Sequence, residues 1–154
     1  MGKRDEQAVQ HYVEHLAMTL YELGFPRMPA RVLCALVVAE DGALTAGQIG
    51  QWLGVSPAAV SGAIRYLVQI GMVQREPVPG SRSDRYRAMS NTWYIAGVAR
   101  RGVYKRVADV VAEGVTVVGE DTEAGARIAE MAEFFRFMQD ELAAMVEKWN
   151  ASRG

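Results

Sequence analysis

Five arginines and no lysine carry the positive charge between Ser56 and Ser90. Arg65, Arg75, Arg82, Arg85 and Arg87 are offset there only by Glu76 and Asp84, so the window is +3, while residues 1–55 and 91–154 are each −2 and the whole chain is −1. A guanidinium grips phosphate with a planar, two-pronged pair of donors that an ammonium cannot form. A local arginine patch on a near-neutral chain is the footprint expected of a nucleic-acid surface.

Other reactive residues point to little chemistry. His11 and His15 lie one helical turn apart with Glu14 between them, a spacing that can hold zinc. No third ligand stands at a telling distance, so the pair reads as surface or interface hydrogen-bonding groups. Cys34 sits among Val32, Leu33, Leu36 and Val37 and reads as packing. A thiol switch at Cys34 needs an exposed thiolate beside a base, for which Arg31 is the one candidate. A single cysteine leaves no internal disulfide. There is no glycine-rich phosphate loop, nucleophile elbow or metal-ligand cluster. The expectation is a non-enzyme without metal or cofactor. With 50% apolar and 23% charged residues, the 154-residue chain has a globular composition. It has neither a membrane-length apolar run nor a secretory signal, so the expected compartment is the cytoplasm.

The arginines must be positioned by the elements around them. Val9, Val13, Leu16, Leu20 and Leu23 recur at helical spacing, predicting a helix from Glu6 to Leu23 that Gly24 and Pro26 end. A second helix starts near Met28-Pro29 and runs through Val32, Leu33, Leu36 and Val37 to Glu40. Thr45 and Gln48 form a capping box for a short helix over 46–53. Gly54-Val55 breaks it. Ser56 caps and Pro57 opens the next helix, over 57–70, with Val60, Ile64, Leu67 and Val68 inward. Gly71 closes that helix. Met72–Arg75 and Arg85–Met89 read as two strands around a turn at Pro77, Pro79 and Gly80. A helix interrupted by glycines is expected over 92–116, with Gly97, Gly102 and Gly114 marking bends or close packing. Thr122 caps a last helix over 123–149. Its seam of Ala124, Ile128, Met131, Phe135, Met138, Leu142, Met145 and Trp149 keeps a heptad period and is expected to pack on a partner chain.

Two short capped helices, a glycine turn and a strand–turn–strand make a helix-turn-helix with a wing. The fold class expected is mainly α with a small β-hairpin wing. The second helix of the pair opens with Ser56, Pro57, Ala58, Ala59, Ser61 and Gly62, slim enough to let the backbone approach base edges in a major groove. Arg65 lies one turn beyond Ser61 and reaches a base edge or a phosphate. Arg82, Ser83 and Arg85, at and beside the hairpin tip, can enter an adjacent minor groove. Arg75 reads rather as a partner of Glu76 or of an acid on a neighbouring helix, and Arg87 reads equally well as a solvated strand residue or a phosphate ligand.

The stretch from Ala46 to Glu76, with Ile49, Leu53, Gly54-Val55-Ser56, Val60-Ser61, Leu67, Gly71-Met72-Val73 and Arg75-Glu76, resembles the winged helix-turn-helix of MarR-type regulators, most nearly the GbsR-like branch. The order of helices outside it is similar too. The resemblance implies a homodimeric repressor of transcription on a pseudo-palindromic operator in double-stranded DNA, dimerised through N- and C-terminal helices. It divides the chain into a dimerisation helix at 1–26, the winged domain at 27–90 and dimerisation helices at 91–154. It assigns Ser61, Gly62 and Arg65 to the base-facing turn and Arg82 to the wing tip. Ser81 replaces the aspartate that often precedes that arginine, so either Arg82 or Arg85 can be the one in the minor groove. Tyr12, Trp93, Phe134 and Met138 could line a site for a small apolar or amphipathic ligand, or form plain aromatic core. The competing functions are a winged-helix protein-interaction module that binds no DNA and a regulator switched through Cys34.

Overall fold

The computed structural model describes residues 3–89 and 101–154, in two compact units spanning Met1–Ser90 and Asn91–Gly154. The first unit is built as α1 (Glu6–Glu22), α2 (Arg27–Val38), β1 (Ala43–Thr45), α3 (Ala46–Leu53), α4 (Pro57–Gln69), β2 (Val73–Glu76) and β3 (Arg85–Ala88). Asp5 starts α1 by accepting hydrogen bonds from the backbone N–H groups of Gln7 and Ala8 at 3.0 and 3.2 Å. The expected seam of α1 holds except at Leu23. Val13 and Ala17 are buried against Ala30 and Cys34, Leu16 and Leu20 pack beside them, and Leu23 is 81% exposed because the helix has already ended.

α2 is the central helix of this unit and contacts α1, α3 and α4. Val32, Leu33, Cys34, Ala35 and Leu36 are all buried, so apolar side chains surround it on most sides. It starts at Arg27, with Pro29 in its first turn, and stops at Val38, short of the expected Glu40. Ile49 of α3 and Val60, Ala63, Ile64 and Leu67 of α4 extend the core. Val68, expected inward, is exposed.

Arg31 joins three elements. It donates to the Glu14 carboxylate of α1 at 2.7–3.1 Å and to the carbonyl oxygen of Leu53, the last residue of α3, at 3.2 Å. The base expected to activate Cys34 is thus engaged elsewhere. Cys34 itself is only 1% exposed, and burial, with the Glu14 charge second, pushes its thiol up to about 11. That corrects the thiol-switch alternative: the sulfur is neutral and out of reach of oxidants.

A three-stranded antiparallel sheet, ordered β1-β3-β2, closes the unit. Two strands were expected. The third, β1, has only three residues between the Asp41-Gly42 turn and the Thr45 cap, too few to show a period of two. Its register places Ala43 opposite Arg87 and Thr45 opposite Arg85, while β2 sets Glu76 opposite Arg85.

The second unit is a helical hairpin of α5 (Val103–Val118) and α6 (Glu123–Arg153). The part of the helix expected at 92–116 that precedes Arg101, Gly97 included, lies outside the described residues; α5 begins after Gly102, which has φ +61°. Thr122 caps α6 by accepting from Gly125 N at 2.9 Å. Gly125 admits no side chain, since a Cβ there would fall on the Gly119 carbonyl oxygen. The seam of α6 is in part internal, against the expectation of a partner contact. Ile128 packs over Gly114, at 3.4 Å from where a Cβ would stand, and Phe135 stacks on Tyr104 with ring centres 5.9 Å apart. The glycine in α5 lets the two helices close, and that closure takes up Ile128 and Phe135 of the seam. Met131, Met145 and Trp149 stay exposed. Among the described residues no helix is long and apolar enough to cross a membrane.

Candidate nucleic-acid interface

The helix-turn-helix forms where the caps direct it. Thr45 and Gln48 make the reciprocal capping box, with hydrogen bonds of 2.9 and 3.2 Å. Gly54 ends α3 at φ +68°, a left-handed conformation that a side chain would strain. Gly50 lets α4 lie close, since a Cβ there would stand 3.2 Å from the Val55 carbonyl and 3.4 Å from Val60. Ser56 then starts α4, its hydroxyl accepting from Ala59 N at 3.2 Å, with Pro57 at the first helical position.

This geometry sorts the predicted contact residues. Ser56, Pro57, Ala58, Ser61, Gly62 and Arg65 are all exposed, and Ala59 is half-buried. Ser61 and Arg65 line a groove of about 350 Å³ that also includes Ala46, Val68, Arg75 and Tyr86. The groove therefore lies between the outer face of α4 and the sheet. Tyr86 was legible only as a strand aromatic and Val68 as core; their place in the groove follows from the strand pairing, which the sequence does not display.

The five arginines divide sharply. Arg75 pairs with Asp84 across the hairpin. Arg87 donates to the Glu76 carboxylate, at 3.2 Å through Nη2, and to the Asp41 carbonyl at 2.6 Å. Its guanidinium holds the Glu76 carboxyl below the ordinary carboxylate range and is itself held further protonated. Arg85 donates to the Ala43 carbonyl at 3.2 Å and lies 3.5 Å from the Asp41 carboxylate. Its guanidinium is thereby committed to β1 rather than to the hairpin tip. Arg65 and Arg82 have no hydrogen-bond or ion-pair partner among the described residues. Arg82 and Ser83 are exposed at the tip, where Ser83 N donates to the Ser81 hydroxyl at 3.1 Å.

The remaining predicted residues belong to different units of the chain. Tyr12 is 53% exposed on α1, Phe134 is 56% exposed on α6, and Met138 is half-buried on α6. Trp93 lies outside the described residues. His11 borders an open groove with Gln7, Gln10, Glu14 and Trp52, and no group of three His, Cys, Asp or Glu side chains is gathered among the described residues.

Comparison with known proteins agrees with this architecture. Residues 23–82 match the model of the MarR family, and residues 91–152 match that of MmpR5-like MarR family transcriptional regulators. The HTH-type transcriptional regulator MmpR5 of Mycobacterium tuberculosis (strain ATCC 25618 / H37Rv) is 20% identical over 150 residues, covering 97% of this chain and 91% of that protein. The crystal structure of a transcriptional regulator, also 20% identical, superposes with a TM-score of 0.82 over 94% of this chain and 99% of that one. The branch these matches name is MmpR5-like rather than the GbsR-like branch expected. Each of the two compact units is thus matched by a model of the MarR family of transcriptional regulators, and the fold is that of a winged helix.

Proposed function

We propose that the protein is a homodimeric repressor that binds a pseudo-palindromic operator, placing α4 in the major groove and the β2–β3 tip in the flanking minor groove. The observation that carries this is the division of the arginines: the two left without partners, Arg65 and Arg82, stand on the two surfaces that such docking presents to DNA. Ser56, Pro57, Ala58, Ala59, Ser61 and Gly62 supply the close approach, and Arg82 with Ser83 supplies the wing contact. Arg85 is disfavoured as the minor-groove residue, because its guanidinium already bonds β1. Exposed apolar side chains on α1 and α6, among them Tyr21, Phe134 and Phe137, supply surface for a second copy. Relief of repression by a small apolar or amphipathic ligand belongs to the same proposal, as does a place in the cytoplasm, where the operator is.

Fluorescence anisotropy with duplex DNA from upstream of the protein's own gene tests the reading. Saturable binding that weakens steeply with salt is expected. Folded dimer that binds no duplex at low salt would overturn it in favour of a protein-interaction module.

A further inference from the structure

The face that α4 presents is poor in hydrogen-bonding groups over its first two turns. Pro57 has no N–H, and the Ser56 hydroxyl, which accepts from Ala59 N, keeps only its O–H to offer at the helix start. Ala58 and Gly62 are exposed and carry no polar side-chain atom; between Ser56 and Arg65 only Ser61 offers one on this face. Gly62 is the telling residue. Its φ is not positive, and a Cβ there would meet nothing within 4 Å. Glycine weakens a helix interior relative to alanine, and no contact among the described residues requires it. The space is kept for something outside.

A major groove offers hydrogen-bonding edges and one apolar feature, the thymine 5-methyl group. Hydrogen- and methyl-sized side chains cannot complete a donor–acceptor pattern, but they can pack on that methyl. Arg65, exposed and without a partner, matches the O6/N7 edge of guanine. We infer that Ala58 and Gly62 read thymine methyl groups and that Arg65 reads a guanine in the same half-site. The inference rests on the DNA-binding reading above. A helix rises about 1.5 Å per residue, so Ala58 and Arg65 are about 10 Å apart along α4. Base pairs stack about 3.4 Å apart, which sets the thymine and the guanine within about three base pairs of each other.

The test begins with selection of binding sites from a random duplex library by the full-length protein. The recovered site is then titrated with deoxyuridine in place of each thymine and 7-deazaguanine in place of each guanine. At least one thymine per half-site should lose about fourfold in affinity without its methyl. A guanine within about three base pairs should lose about tenfold without N7 in the wild type and not in Arg65→Ala. Gly62→Leu should keep its far-UV circular dichroism and melting temperature while losing at least tenfold in affinity for the selected site. Uracil tolerated at every thymine, or Gly62→Leu binding like the wild type, overturns the inference while leaving DNA binding intact. A library from which no duplex is enriched overturns both.

Discussion

At the scale of single residues, the two free arginines should fail differently. Arg65→Ala is expected to cost about 1–3 kcal/mol of binding to the selected site and to relax sequence preference, measured by competition with mismatched duplexes. Arg82→Ala should weaken all duplexes alike and lower the slope of log affinity against log salt by about 0.9. Both residues are visible in the sequence as exposed-pattern arginines. What the sequence conceals is that Arg75, Arg85 and Arg87, of the same type and in the same window, are spent on Asp84, Ala43, Asp41 and Glu76. Those partners lie across strands or up to 46 positions away in the chain, and pairing at that separation leaves no periodic trace. Cys34 gives a third residue-level expectation. With its thiol raised to about 11 by burial, alkylation at pH 8 should proceed only under unfolding conditions, and peroxide should leave DNA affinity unchanged. Rapid labelling of the native protein would contradict the burial.

At the scale of elements, the wing is braced by charge. Asp84 neutralises Arg75 at the edge of the groove beside α4. Asp84→Asn should release that guanidinium, strengthen binding to non-specific duplexes and steepen the salt slope by about one phosphate contact. The Glu76–Arg87 pair sets an acid limit. A carboxyl held below its ordinary 4.5 in the folded state stabilises the fold above that pH, and the contribution disappears as pH falls through the lowered value. Glu76→Gln should therefore lower stability at neutral pH and flatten its decline in acid, read from melting temperatures between pH 7 and pH 3. The helices of this unit were legible because their ends are written in residue types: Thr45 with Gln48, Ser56 with Pro57, and Gly54 all stand where the caps form. β1 was not legible, because three residues become a strand only when β3 lies beside them. In the second unit the heptad count of α6 was right and its partner only in part: Ile128 and Phe135 pack within the chain, while Met131, Met145 and Trp149 stay exposed. Gly114, expected to mark a bend or close packing, is the small residue that lets Ile128 approach within the same chain.

At the scale of the whole molecule, what is left over after folding points outward. Tyr12, Met18 and Tyr21 on α1 and Met131, Phe134 and Phe137 on α6 are about half exposed or more. Isolated apolar side chains on a surface are ordinary, but runs of them along two helices are not. Phe134→Glu with Phe137→Glu should yield a folded monomer by sedimentation that has lost affinity for a two-half-site operator while retaining weak binding to a single half-site. A monomeric wild type at micromolar concentration would remove the argument for paired half-sites.

The bond from Arg31 to both Glu14 and Leu53 has a mechanical consequence. One guanidinium, gripping a side chain on α1 and the last carbonyl before the Gly54 turn, fastens the N-terminal rod to the turn that leads into α4, in parallel with the packing of Trp52 and Leu53 on the α1–α2 core. Loss of that rivet leaves the joint held by apolar packing alone.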